Sequence, residues 1–299
     1  VSLGQLAIAA YVAPAAPSWS SLLGGWTLDP LFVVTVAAGA LYLAGVRRLA
    51  TRGRTWPRAR SVAFGAGLAV LVVATQSGFA QYDRTLFSYH VVQHVLLGMI
   101  APLLLVLGAP VTLALQAARR PAQLRMLRFF HSRPVTACTH PAMIWVAFAA
   151  TLVVLYFTGL YELSLRNGAV HAMVHAHFVV VGALFMGYVV GLDPFAARFG
   201  HGARLLYVFL LLPFHAFLGV ALLGSDRVLA SGWYSSVVRT WGPSPIDDQR
   251  VGAGILWAAG ELVGVVALGV VAYQWMRHEE RVGARLDRRP EAERIAVPQ

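Results

Sequence analysis

Six of the ten histidines lie inside apolar stretches, and their spacing is the first feature with chemical content. One segment reads Tyr89-His90-Val91-Val92-Gln93-His94, and a second reads His171-Ala172-Met173-Val174-His175-Ala176-His177. A separation of four residues puts two side chains about 40° apart on one helix face, one turn apart. His90 and His94 form such a pair, as do His171 and His175, and His215 stands alone in a third apolar stretch. Imidazole pairs on neighbouring helices are what a metal site in a bundle core requires. Their neutral nitrogens suit copper, zinc or iron. Met99 and Met173 are near enough in sequence to add thioether sulfur, which would favour Cu(I), although ordinary packing also explains them. His177 falls on a different face from His175 and ranks with the methionines as a lesser candidate. The same pattern also fits a hydrogen-bonded network of histidines with Gln93 and Tyr89 that needs no metal, each bond worth about 1 kcal/mol. Paired histidines can alternatively hold haem b by its axial positions.

Acidic groups near these histidines are few. Glu261 is predicted near mid-membrane, either accepting a bond from an imidazole N–H or carrying a proton. Asp248 and Asp247 stand at the mouth of the last apolar stretch, where they would cap that helix or draw a cation toward the histidines. Asp193-Pro194 reads as a helix-ending or capping device.

The elements that must position these groups are membrane helices. Hydrophobic residues make up 58% of the 299 and charged ones only 12%. Ordinary soluble domains have roughly 45–50% and about 25%. Mean hydropathy is +0.65. A bilayer core of about 30 Å needs roughly 20 apolar residues in a helix. Seven stretches qualify: Leu31–Leu49, Ser61–Phe79, Leu86–Val106, Met143–Leu160, Ala169–Val190, Leu205–Gly224 and Val251–Met276. The third is expected to bend or end at Pro102 and Gly108-Ala109-Pro110, with a continuation to Leu115. The expected fold is an all-α polytopic bundle of seven transmembrane helices spanning 29–276. A segment 1–28 precedes it, with a short interfacial helix within Leu3–Val12, and a charged tail 277–299 follows.

The 24 basic residues are all arginine, against 13 acids, for a net charge of +11. Their placement decides what the charge means. Arg47, Arg48, Arg52, Arg54, Arg58 and Arg60 fall between stretches one and two. Arg119, Arg120, Arg125, Arg128 and Arg133 fall between three and four, and Arg198 and Arg204 between five and six. Arg277, Arg281, Arg285, Arg288, Arg289 and Arg294 follow the seventh. Only Arg84, Arg166, Arg227, Arg239 and Arg250 lie on the opposite side. This alternation follows the positive-inside rule and predicts an external N-terminus and a cytoplasmic C-terminus. It argues against a nucleic-acid partner; the expected contact is the lipid bilayer of a bacterial plasma membrane. It also sets His90, His94, His171, His175 and His215 in one outer-leaflet layer. Trp233, Tyr234 and Trp241, in the external loop Ser225–Arg250, are expected at the interface.

The single Cys138 excludes an internal disulfide, CxxC motifs and c-type haem attachment. HExxH is absent and no Ser–His–acid arrangement stands out, so no enzyme is predicted. A metal or proton transporter remains as another alternative, although the cytoplasmic half offers few polar groups to line a path.

Taken together, Ser88-Tyr89-His90 through Gln93-His94, Pro102 and Leu107-Gly108-Ala109-Pro110 resemble the signature of CtaG-type cytochrome c oxidase assembly proteins. So do His171-x-x-x-His175-x-His177-Phe178, Gly182, Phe185 and Gly191-Leu192-Asp193-Pro194. His215-Ala216, Asp248-Gln249, Gly252 and Trp257 to Glu261 extend the likeness over about residues 30–275. The resemblance implies a membrane factor that helps mature a haem–copper oxidase, with copper as the cofactor and the oxidase large subunit as partner. A different, single-span copper chaperone uses paired cysteines, and nothing here is similar to it.

Overall fold

A computed structural model describes residues 11–26, 28, 30–193 and 199–295. Six helices are long and apolar enough to cross a membrane: Pro30–Ala50, Arg58–Gln81, Phe87–Ala117, Gly168–Val190, His201–Leu223 and Pro245–Ala284. The bent pair Pro141–Phe157 and Leu160–Arg166, turned by 73°, passes the same test when taken together and brings the number to seven if counted as one span. Numbered in chain order, these are spans 1 to 7, and the protein is a polytopic helical membrane protein. Large apolar side chains such as Val33, Leu41, Val180, Phe217 and Leu262 stay exposed on the bundle, where lipid is their solvent.

Span 3 is the hub, packing against spans 2, 5 and 7, while span 6 lies along span 7 and span 4 along span 5. Its path is irregular for identifiable reasons. The helix widens into a π turn at Leu96–Ile100, just before Pro102, whose ring nitrogen has no N–H to give the Gly98 carbonyl. Gly182 of span 5 packs against that carbonyl. A Cβ at Gly182 would come within 2.2 Å of the Gly98 oxygen, and one at Gly98 within 2.9 Å of the Phe178 ring. Small residues let two membrane helices approach this closely. Gly98 is one turn from His94 and Gly182 two turns from His175, so the close crossing also brings the histidine faces together.

Farther along, span 3 resets at Ala109, which is fully buried in the left-handed conformation (φ 48°), and restarts at Pro110. The expected bend is present, and the continuation expected to Leu115 runs to Ala117. Its two starts are capped by aspartates from elsewhere. Asp248 Oδ2 accepts from the Phe87 and Ser88 amides at 2.5 and 3.3 Å, and Oδ1 from the Ser88 hydroxyl at 2.5 Å. Asp193 Oδ1 accepts from the Thr112 amide and hydroxyl at 2.9 and 2.7 Å. Asp248 therefore caps span 3 and not its own helix, where Ser244 takes that part. Asp193 likewise caps a neighbour, while span 5 ends at Gly191 in the left-handed conformation (φ 68°). Burial pushes the Asp193 carboxyl above its ordinary pKa, opposed by the Thr112 hydrogen bonds. Pro194 lies outside the described residues.

The end of the bundle nearest the histidines is covered in part by folded segments. Tyr11–Val12 pairs in parallel with Val237–Val238 of the long loop between spans 6 and 7. The Tyr82 hydroxyl donates to the Ala15 carbonyl, and the Trp241 indole donates to the Pro14 carbonyl. Residues 3–10 of the helix expected within Leu3–Val12 lie outside the described residues. Its last two residues are strand, and a short helix forms later, at Trp19–Leu23. Trp233 and Tyr234 do not form an interfacial belt. Both are buried, Trp233 donating to the Arg84 carbonyl and Tyr234 bonding Tyr161, so the loop folds back as a plug. Span 7 begins six residues earlier than expected and continues as one helix to Ile295.

Candidate metal centre

Spans 3 and 5 bring four of the predicted histidines into one closed ring of contacts. His90 and His94 have ring centroids 3.9 Å apart, and His171 and His175 4.2 Å apart. Across the two helices, His90 faces His171 at 6.1 Å and His94 faces His175 at 6.0 Å. All four side chains are buried.

Two elements that the histidine spacing did not point to complete the surroundings. The short link between spans 2 and 3 supplies Asp83, which is buried and bonds His171 Nε2 through Oδ2 at 2.7 Å. Burial raises the Asp83 pKa, but the hydrogen bond to His171 and the nearby imidazoles outweigh it and hold the carboxyl below its ordinary value. An ionised carboxylate only accepts, so Nε2 carries a proton toward Asp83 and Nδ1 is the His171 nitrogen turned to the other imidazoles. Asp83, His171 and His175 each offer one ligand atom within 4.8 Å of the others. Span 4 brings in two tyrosines, one on each side of its bend: the Tyr156 hydroxyl lies 3.2 Å from His94 Nδ1, and the Tyr161 ring centroid lies 4.6 Å from that of His90 in a tilted contact. The sequence signal for Asp83 was available: it is a lone acid in a six-residue link at the histidine end. The tyrosines carried none: Tyr156 stands in the last turn before the 73° bend of span 4 and Tyr161 in the first turn after it.

The polar atoms here lack partners to an unusual degree. Both nitrogens of His90, Nε2 of His94, Nδ1 of His171, Nε2 of His175 and Oε1 of Gln93 are buried without a hydrogen bond, six of eight such atoms among the described residues. Leaving a buried polar group unpaired costs about 1–3 kcal/mol. A bound cation would satisfy several lone pairs at once, so the donor set fits a metal ion. An open cleft of about 640 Å³, lined by Asp83, Arg84, Gln93, His171 and His175, leads to the site.

The remaining candidates fall elsewhere. His215 is buried in span 6, with its Nδ1 3.2 Å from the Leu211 carbonyl and its ring 6.3 Å from that of Phe148; it is not in the ring of four. Met99 is buried close to it, whereas Met173 is exposed on the outside of span 5. His177 is exposed and bonds Thr151 at 2.8 Å. Tyr89 packs on Phe79 and Tyr82, away from the four imidazoles. Gln93 points to span 2, donating to the Ala74 carbonyl at 2.8 Å. Asp248 is committed to its cap, and among the described residues no hydrogen bond or ion pair joins Glu261 to a histidine.

A polytopic helical membrane protein of six to seven spans, with buried, facing histidine pairs, is thus the class defined by fold and site. The chain belongs to the cytochrome c oxidase caa3 assembly factor family (Caa3_CtaG), whose model matches residues 40–278. Uncharacterized proteins of Mycobacterium bovis and Mycobacterium tuberculosis are each 36% identical to it over 293 residues, covering 95% of this chain and 44% of their own. One of Mycobacterium leprae is 35% identical over 286 residues, covering 93% and 43%. The chain therefore spans less than half the length of these relatives. No solved structure matches it.

Proposed function

We propose that this protein is a non-enzymatic assembly factor of the bacterial plasma membrane that holds copper for the large subunit of a haem–copper cytochrome c oxidase. His90, His94, His171 and His175 are the ligand candidates, and Asp83 either joins them or fixes the His171 ring. The observation that carries this reading is the set of unpartnered imidazole nitrogens, buried together beside an ionised carboxylate. A carboxylate behind a ligating imidazole is the usual device for setting its tautomer and raising its basicity. Family membership supplies the oxidase context.

A single ion suits the space better than haem does. Each histidine touches its own helix neighbour at about 4 Å, with His94 also stacked 4.2 Å from Phe178, so a macrocycle between the pairs would displace packed rings. A through-going transport path is also disfavoured. Beyond the histidines the core is apolar, built from residues such as Phe148, Val181, Phe185 and Met186. The arginine distribution supports an external position for the histidine end. Copper content of the detergent-purified protein tests the reading. Wild type should retain copper, and the double variant His90→Ala/His175→Ala should lose the equivalent held by these four imidazoles. Equal copper in both would sink the ligand assignment.

A further inference from the structure

Behind the four imidazoles, toward the middle of the bundle, a separate cavity of about 20 Å³ is lined by His94, Met99, Thr151 and His215 among apolar groups. That is room for one water or one ion. The cavity takes its polar atoms from three spans. His94 Nε2 is buried and unpartnered. His215 is 1% exposed, and with Nδ1–H donating to the Leu211 carbonyl its Nε2 keeps the lone pair. Gly260 of span 7 permits this placement, since a Cβ there would fall 2.5 Å from the His215 ring. Met99 is 4% exposed and stands in the π turn of span 3, which rotates the helix between His94 and Pro102.

We infer that His94, Met99 and His215 form a second, deeper copper station, specific for Cu(I), with His94 shared between it and the outer group. This inference rests on the proposed function and adds a place for the ion to go. Two imidazoles and a thioether are a soft, low-charge donor set, which selects the monovalent ion over Cu(II) or zinc. The outer group, with its carboxylate, is harder and accepts divalent ions more readily. His94 has one nitrogen toward Tyr156 and the other unpaired, and it is the one imidazole that belongs to the outer four and also lines the deeper cavity. No electron is exchanged there, because copper enters and leaves the deeper station as Cu(I).

The test is X-ray absorption at the copper edge on the full chain in detergent, loaded with excess Cu(I) under reducing conditions. Wild type should bind two equivalents and show a sulfur neighbour alongside nitrogen. Met99→Leu, a volume-conserving change, should lose the sulfur signal and one equivalent, keeping the other. Protein grown with selenomethionine gives an independent reading: a copper–selenium contact present in the wild-type sequence and absent in Met99→Leu. A nitrogen-and-oxygen shell in wild type, or a sulfur signal that survives Met99→Leu, overturns the second station and leaves the outer site intact. A wild-type protein that takes up no copper overturns both.

Discussion

The Asp83 carboxylate accepts the His171 Nε2–H at 2.7 Å across the gap between the span 2–3 link and span 5, with both side chains buried. This bond joins elements 88 residues apart and fixes which nitrogen of His171 faces the other imidazoles. Asp83→Asn keeps the shape and an acceptor oxygen but removes the charge. Copper affinity should fall about 10- to 100-fold, with little change in thermal midpoint. Asp83→Leu leaves the buried N–H unpaired and should cost about 1–3 kcal/mol of stability as well. A competition titration with a chromogenic chelator measures the first effect and thermal unfolding in detergent the second.

Asp248 should matter through span 3 rather than through the metal. Its carboxylate receives the Phe87 and Ser88 amides and the Ser88 hydroxyl, all near the first turn of the helix that carries His90. Asp248→Ala strands these buried donors and should destabilise the protein by about 1–2 kcal/mol, the upper range for a lost helix cap. Asp248→Asn should recover part of that. Asp247→Ala, whose carboxylate sits in an exposed turn with Ser244, should cost less.

The i, i+4 histidine pairs and their common depth were legible in the sequence, because helix periodicity and the arginine alternation are local signals. Membrane spans were legible for the same reason, with boundaries a few residues off. The structure separates His215 from the other four through contacts that no spacing encodes: its place depends on Gly260 of span 7. Asp248 and Asp193 looked like caps of their own helices, and each caps a distant one instead. Both corrections are tertiary. So is the burial of Trp233 and Tyr234, whose aromatic character suits an interface and a plug equally well.

The crossing of spans 3 and 5 should be intolerant of a single methyl group. Gly182→Ala places a Cβ 2.2 Å from the Gly98 carbonyl oxygen, a backbone atom that cannot swing away. The helices must separate, costing about 1–3 kcal/mol, and the 6 Å spacing between the facing histidines must open with them. Copper retention should drop sharply even in protein that still purifies as a folded species. Gly254→Ala, where a Cβ meets no atom within 4 Å, is the matched control and should behave as wild type.

Orientation can be read with the chain's own thiol. Cys138 is the single cysteine, it is exposed, and it lies in the connection between spans 3 and 4 among Arg119, Arg120, Arg125, Arg128 and Arg133. Arginine-rich connections are retained on the cytoplasmic side, so a membrane-impermeant maleimide added to intact cells should leave Cys138 unlabelled and should label it after permeabilisation. Moving the thiol to the other end reverses the expectation: Asp226→Cys in a Cys138→Ser background is exposed in the loop after span 6 and should label in intact cells. Labelling of Cys138 from outside would invert the topology and put the histidine cleft on the cytoplasmic face, where the ion would have to come from the cytosolic pool.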